Sequence, residues 1–279
     1  MLFRSGHLVE LDVRTGEPTA LKPAAHSYPV TNIFRYGQNM ITLDENGKIL
    51  IFSPDADGET RLQTSMPRVV RVADKQGFAR VLGGMLWMSA GPSSGHAHGN
   101  GQSTAFLGST KGPTIRIYDI MSTAANCPFK NVVTSEAVGA VTSGTMLATQ
   151  LDKVYLGHEG GFVSVWSLKG EDGSPTCVEV VKVSVSDVLC LEGVNDRLWA
   201  GGRKGYISAF DVTHTPWVVT NSWVAHDGLP IYTLNVDSFS MEKCAQFAVY
   251  SVGRDEQMRV WDGLLGLEWI GECTCRPII

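Results

Sequence analysis

The chain has 279 residues, with 23 Lys and Arg against 28 Asp and Glu for a net charge of −5, a balance that argues against a nucleic-acid binder with a basic face. Charged residues make up 18% and the hydrophobic set 43%, which argues against disorder along the whole length. No run of about eighteen apolar residues occurs and Met-Leu-Phe-Arg-Ser-Gly-His-Leu lacks the layout of a signal peptide, so the expectation is a soluble, cytoplasmic chain without a transmembrane segment. The cysteines at 127, 177, 190, 244, 273 and 275 are scattered rather than packed into a small scaffold, which fits reduced thiols.

In chain order, the first element is Leu8 to Leu11, a short alternating run closed by Asp12. Pro29 to Phe34 reads as a strand leading into Ile41 to Ser53, where an apolar run, a polar corner and a second alternating run end in Phe52-Ser53. Asp55 to Glu59 looks like part of a calcium loop but is too short, and reads as a hairpin turn. Met85 to Ser89 and Ile115 to Asp119 carry the same pattern, split by a Gly/Ser-rich stretch at 91–113 that reads as a flexible, dispensable insertion.

Val138 to Leu147 precedes Tyr155 to Ser167, Val185 to Leu191 precedes Trp199 to Asp211, and Leu229 to Val236 precedes Tyr250 to Asp262. Val178 to Val183 and Trp217 to Trp223 follow two of these units. The thirteen-residue units align without a gap and end in Phe52, Trp166, Phe210 or Trp261 plus Ser or Asp. Their period-two alternation means strands. The closing residues at 12, 53, 119, 167, 211 and 262 are separated by 41, 66, 48, 44 and 51 residues. Four strands in each period of about 40 to 50 residues, with a terminal Trp-Asp or its equivalent, predict an all-β fold of the WD40 β-propeller type.

Several runs sharpen this into a family resemblance. Ser5 to Asp12, Leu43 to Lys48, Val141 to Gly144, Leu198 to Gly202, Pro216-Trp217, Trp223 to Asp227 and Arg259 to Leu265 together resemble the WD-repeat region of the fungal and plant inositol polyphosphate 5-phosphatases. The resemblance implies a propeller of seven blades ahead of a catalytic domain. This sequence shows about five and a half to six, begins mid-blade and carries no match to the phosphatase domain. The expected organisation is therefore a partial propeller over 1–270 and an atypical tail over 271–279, the product of a truncated reading whose open ring self-associates.

Candidate chemistry is sparse. His96-Ala97-His98 and Cys273-Thr274-Cys275 lack the further ligands a metal needs, and Gly99 to Thr104 misses the third glycine of a dinucleotide fingerprint. No catalytic, metal or cofactor residue is assigned, and the chain is not expected to be an enzyme. The repeated aromatics Phe52, Tyr118, Trp166, Phe210 and Trp261 are expected to fill the gap between sheets, with Asp262 fixing the turn after the last.

The corners between second and third strands share one face with the connections into first strands. Arg203, Lys204 and Arg254 are candidates there for a basic spot. His226 is a further candidate for partner binding, or else joins Asp255 and Trp261 in a hydrogen-bond network of the WD-repeat kind. Two functions follow: a scaffold for protein partners in phosphatidylinositol dephosphorylation, placed in the cytoplasm or peripherally at membranes, or direct binding of a phosphoinositide or inositol phosphate.

Overall fold

The computed structural model describes residues 6–12, 14–71, 76–90, 114–119, 130–133, 138–170, 173–237, 248–263 and 273–274. Regular structure among them is entirely β. The insertion at 91–113, with its His96 and His98, lies outside the described residues, as do 264–272 and 275–279.

The strands come in sets. β1 (Leu8–Leu11) and β2 (Pro18–Lys22) make a two-stranded sheet. Four-stranded sheets follow from β3 (Val30–Tyr36), β4 (Asn39–Asp44), β5 (Lys48–Phe52) and β6 (Arg68–Arg71), and from β7 (Gln76–Leu82), β8 (Met85–Ala90), β9 (Thr114–Asp119) and β10 (Lys130–Val133). The next is β11 (Val141–Leu147), β12 (Gln150–His158), β13 (Phe162–Ser167) and β14 (Thr176–Lys182). The last two are β15 (Val188–Val194), β16 (Arg197–Gly202), β17 (Tyr206–Asp211) and β18 (Val218–Val224), then β19 (Ile231–Asp237), β20 (Ala248–Gly253), β21 (Gln257–Asp262) and β22 (Cys273–Thr274).

In each four-stranded sheet the strands lie side by side in chain order. These are antiparallel meanders, the blades of a propeller. Five full blades and one of two strands agree with the count expected from the repeats. In the last blade Cys273 and Thr274, from the stretch expected as an atypical tail, pair with Met258 and Gln257 as the outer strand.

The chain divides into two compact units, Met1–Ser93 with Tyr118–Pro128, and Ser94–Ile117 with Phe129–Ile279. In the first, Leu8, Leu50, Phe52 and Leu62 form the core, and the Lys22 ammonium lies 5.5 Å from the Phe52 ring centre. In the second, Tyr155 and Phe210 bracket Trp217 at centroid distances of 6.0 and 6.3 Å. Further along, Trp199 meets Trp223 at 5.0 Å and Trp223 meets Trp261 at 5.5 Å. Rings packed edge to face, as in the Tyr155–Trp217 and Trp199–Trp223 pairs, add to what their buried area already contributes.

First strands begin one to three residues later than the sequence pattern suggests, at Val30, Val141, Val188 and Ile231. The residue just before each is already engaged. The carbonyls of Pro29, Ala140, Asp187 and Pro230 accept the amides of Glu45, Glu159, Arg203 and Arg254 at 2.9, 2.9, 3.2 and 2.8 Å. These bonds tie each of these four corners to the connection entering its own blade, so the two share a face as expected. A register shift then skips one residue at the start of β3, β7, β11, β15 and β19. The same bulge in five blades is a built feature of the repeat.

A second joint links a corner to the connection that follows its own blade. The Gly205 carbonyl accepts the amides of Ala225 and His226, the Gly161 carbonyl those of Val183 and Ser184, and the Gly6 carbonyl that of His26. All three glycines have positive φ, at +77°, +80° and +66°. A Cβ on them would lie 2.0, 2.0 and 2.1 Å from the carbonyl oxygens of His226, Ser184 and His26. Gly205→Ala should therefore cost more than about 2 kcal/mol, the backbone penalty plus the displaced joint. Gly16→Ala, with φ +72° in open surroundings, should cost only about 1 kcal/mol. Chemical denaturation of both variants reads the difference, and equal losses would mean the joint yields to a methyl group.

Candidate functional site

The joint at Gly205 delivers His226 into the interior of the last blade, where it is fully buried. Its Nδ1 sits 2.9 Å from both carboxylate oxygens of Asp255, in the corner between β20 and β21. A carboxylate only accepts, so Nδ1 carries the proton. Nε2 then accepts from the Ser251 hydroxyl at 2.8 Å, and that oxygen in turn accepts from Trp261 Nε1 at 2.8 Å. The result is a directed chain, indole to hydroxyl to imidazole to carboxylate, with every buried donor used. Gly253 makes room for it, since a Cβ there would lie 2.4 Å from His226 Nδ1 and 2.6 Å from Asp255 Oδ1.

Two other blades solve the same problem with different residues. In the second blade Gly6 positions His26, whose Nδ1 donates to Asp44 at 3.1 Å and whose Nε2 accepts from Thr42 at 2.7 Å. Phe52 replaces the indole there and asks for no partner. In the blade of β11 to β14 the imidazole comes from the end of β12. His158 Nδ1 donates to the Gly139 carbonyl at 3.0 Å, Nε2 accepts from Ser164 at 2.7 Å, and Trp166 Nε1 donates to the same hydroxyl at 2.9 Å.

Ser251, His226 and Asp255 have the connectivity of a hydrolytic triad, and Thr42, His26 and Asp44 resemble one. Neither hydroxyl meets solvent: Ser251 and Thr42 are 0% exposed. Ser251 also spends a lone pair on the indole N–H, so these sets hold blades together rather than attack a substrate. Burial pushes the pKa of His26 below its ordinary value and outweighs the Asp44 carboxylate, and burial likewise lowers His158 against the Gly139 carbonyl. Burial pushes the Asp255 carboxyl up, yet the hydrogen bonds from His226 and the Gln257 amide, with the charge of Arg259, leave it below its ordinary value.

The residues singled out from the sequence separate into two groups. Phe52, Tyr118, Trp166, Phe210 and Trp261 are all buried, and Asp262 is half-buried opposite Ala248. His226 is buried with both ring nitrogens taken, which leaves it nothing to offer an external partner. Arg203, Lys204 and Arg254 are exposed on their corners. Arg203 Nε lies 2.6 Å from Asp187 Oδ2, and the other oxygen of Asp187 accepts the Gly160 amide at 2.7 Å. That amide first, and then Arg203, hold the Asp187 carboxyl below its ordinary range.

The turn at Asp55 to Glu59 is closed by Arg61, which meets Asp57 at 2.5 Å and Glu59 at 2.7 Å. Among the described residues no three His, Cys, Asp or Glu side chains gather as a metal site requires. The sequence reading missed Ser251, Thr42 and the His158–Ser164 pair. A hydroxyl at the second place of the thirteen-residue unit was the available signal for Ser251 and Thr42, while Ser164 stands at the tenth.

Two measurements test these networks. Ser251→Ala orphans the Trp261 N–H and His226 Nε2 at about 1–3 kcal/mol each. The variant should lose more than about 2 kcal/mol in urea unfolding, and an unchanged midpoint would mean that neither group depends on the hydroxyl. The pH dependence follows from His26 and His158. Their folded pKa values are depressed, so the unfolded chain binds more protons below about pH 6.5. Stability present above that pH should fall between pH 7 and 5, and less steeply in His158→Gln. A midpoint that is flat or rises on acidification over this range would contradict it.

No family model matches the chain. It is 27% identical over 276 residues to a probable inositol polyphosphate 5-phosphatase of Schizosaccharomyces pombe, across 96% of this chain and 21% of that protein. The chain thus spans about a fifth of the relative it matches. Among solved structures, the β-propeller domain of Cps50 (Swd1) from Myceliophteria thermophila superposes with a TM-score of 0.62 at 12% identity, over 95% of this chain and 80% of that one. The chain is a WD40-type β-propeller that resembles, over nearly all of its length, a segment of that probable inositol polyphosphate 5-phosphatase.

Proposed function

We propose that the chain is a non-catalytic interaction module that holds partner proteins for a phosphatase acting on inositol polyphosphates. The observation that carries this reading is the fate of its reactive-looking groups. His26, His158 and His226 are buried, and both nitrogens of each are consumed by partners within the blade. What the scaffold presents outward is its corners, with Glu45, Glu159, Arg203, Lys204 and Arg254 exposed, and rigid strands that carry variable corners suit recognition. Among the described residues no helix is long and apolar enough to cross a membrane.

Direct binding of an inositol phosphate is the second reading. It is favoured by Lys204 and Arg254, whose charges have no ion-pair partner among the described residues. It is weakened by Asp187, which offsets Arg203.

Two assays test the module reading on the purified chain. With Mg²⁺ and inositol trisphosphate, phosphate release should not exceed that of heat-denatured chain. Amine-reactive cross-linking in cell extract should give inter-protein links at Lys204 in preference to Lys153 or Lys169. Saturable phosphate release would overturn the reading. Saturable binding of inositol phosphate, lost in an R203Q/K204Q/R254Q variant, would favour the alternative.

A further inference from the structure

The blade of β15 to β18 departs from the other blades of its unit at the place where they hold an imidazole. Ser184 is the structural equivalent of His226: the amides of both are held by a corner glycine carbonyl, and both carbonyl oxygens pack 2.0 Å from where that glycine's Cβ would be. In the thirteen-residue unit Ala200 stands where Ser251 does, Lys204 where Asp255 does, and Phe210 where Trp261 does. All four members of the polar chain are thus replaced at once. At Gly253 an added Cβ would strike the imidazole at 2.4 Å, whereas at the matching Gly202 the nearest atom is 3.4 Å away.

The space left behind is a cavity of about 390 Å³, and Ser184, Ala200, Gly202, Lys204 and Phe210 all line it. Its walls are apolar at Val183, Val188 and Phe210, and hydroxyls enter from Ser184, Ser208 and Ser222. No carboxylate lines it. The Ser208 and Ser222 hydroxyls share one exposed bond at 2.8 Å, which leaves acceptor capacity for a ligand. At the rim Val185 is 86% and Tyr206 50% exposed, an unusual cost for apolar side chains that cover nothing.

We propose that this cavity is a recognition site for a partner peptide that inserts one aromatic side chain bearing a ring N–H, with an adjacent carboxylate set against Lys204. The ring replaces the missing imidazole and finds hydroxyl acceptors. The acid meets an ammonium standing where the last blade has its own acid. Arg203 is already matched by Asp187, so Lys204 supplies the unspent charge. The volume falls near the lower end of the range for ligand pockets, about 300–1,000 Å³, which suits one indole and its neighbour rather than an extended ligand. The inference rests on the reading of the chain as an interaction module and names the chemistry of one partner.

The test titrates the full 279-residue chain with the blocked peptide acetyl-Gly-Ser-Trp-Glu-Ser-Gly-amide, read by calorimetry. Saturable binding is expected, weakened at least tenfold when the peptide's Trp becomes Ala or its Glu becomes Lys. Lys204→Glu, a surface change, should weaken it to the same degree. The triple variant S184H/A200S/K204D installs a hydroxyl, an imidazole and a carboxylate as at Thr42, His26 and Asp44, fills the cavity, and should bind no peptide while melting at or above the parent temperature. Binding indifferent to the peptide's Trp or to K204E overturns the proposal. So does binding of free indole-3-acetate by a chain that ignores the peptide, because the occupant is then a small molecule. A chain that cross-links through Lys204 yet ignores the peptide sinks this inference alone; one that binds the peptide yet releases phosphate sinks the module reading and leaves the cavity assigned.

Discussion

The placement of the buried imidazoles in two blades depends on one backbone contact, the carbonyl of a corner glycine accepting amides from the next connection. The connection must turn from an outer strand to an inner one without stranding its own N–H groups. A glycine with positive φ presents its carbonyl for that purpose and lets the chain pass close by. Once the contact is made at Gly6 and Gly205, the residue that follows has little choice of direction. His26 and His226 are carried inward by the backbone before any side-chain attraction operates.

The imidazoles then settle what would otherwise be a liability. A buried indole N–H or hydroxyl without a partner costs more than a typical hydrogen bond contributes. Chaining indole, hydroxyl, imidazole and carboxylate in one donor order leaves no orphan at either end, since the last acceptor reaches the corner. Asp255 also accepts from the Gln257 amide, and Asp44 from the amides of Asn46 and Lys48. The same carboxylates therefore fix the corner that faces outward, which couples the stability of the interior to the shape of the presented surface.

Much of the architecture was legible in the sequence because strand alternation and a closing aromatic recur at nearly constant spacing. Trp166, Phe210 and Trp261 announce themselves by size and position, and all three are buried. The polar chain was half legible: His226, Asp255 and Trp261 follow the WD-repeat pattern, but Ser251 is a small residue in a strand with nothing to mark it. His158 stands at a corner beside the charged and exposed Glu159, yet its ring turns inward to Ser164, a direction that strand alternation alone does not reveal. The bulges at the start of the inner strands leave no trace in periodicity, since one skipped residue looks like any other. Arg203 could be placed on a corner but its partner Asp187 could not, because the pair is brought together by folding across 16 positions.

The directed chain of hydrogen bonds also bears on how the repeats can differ from one another. Removing the hydroxyl, the imidazole or the carboxylate alone leaves a buried donor or acceptor unpaired, so chains broken at those members are the least stable of the possible sequences. A blade is better off complete, re-routed through another imidazole as with His158, or stripped of every member as in the blade of Ser184, Ala200, Lys204 and Phe210. Divergence between blades then proceeds in steps rather than gradually. The blade that has taken the whole step keeps a cavity where the last blade holds its imidazole.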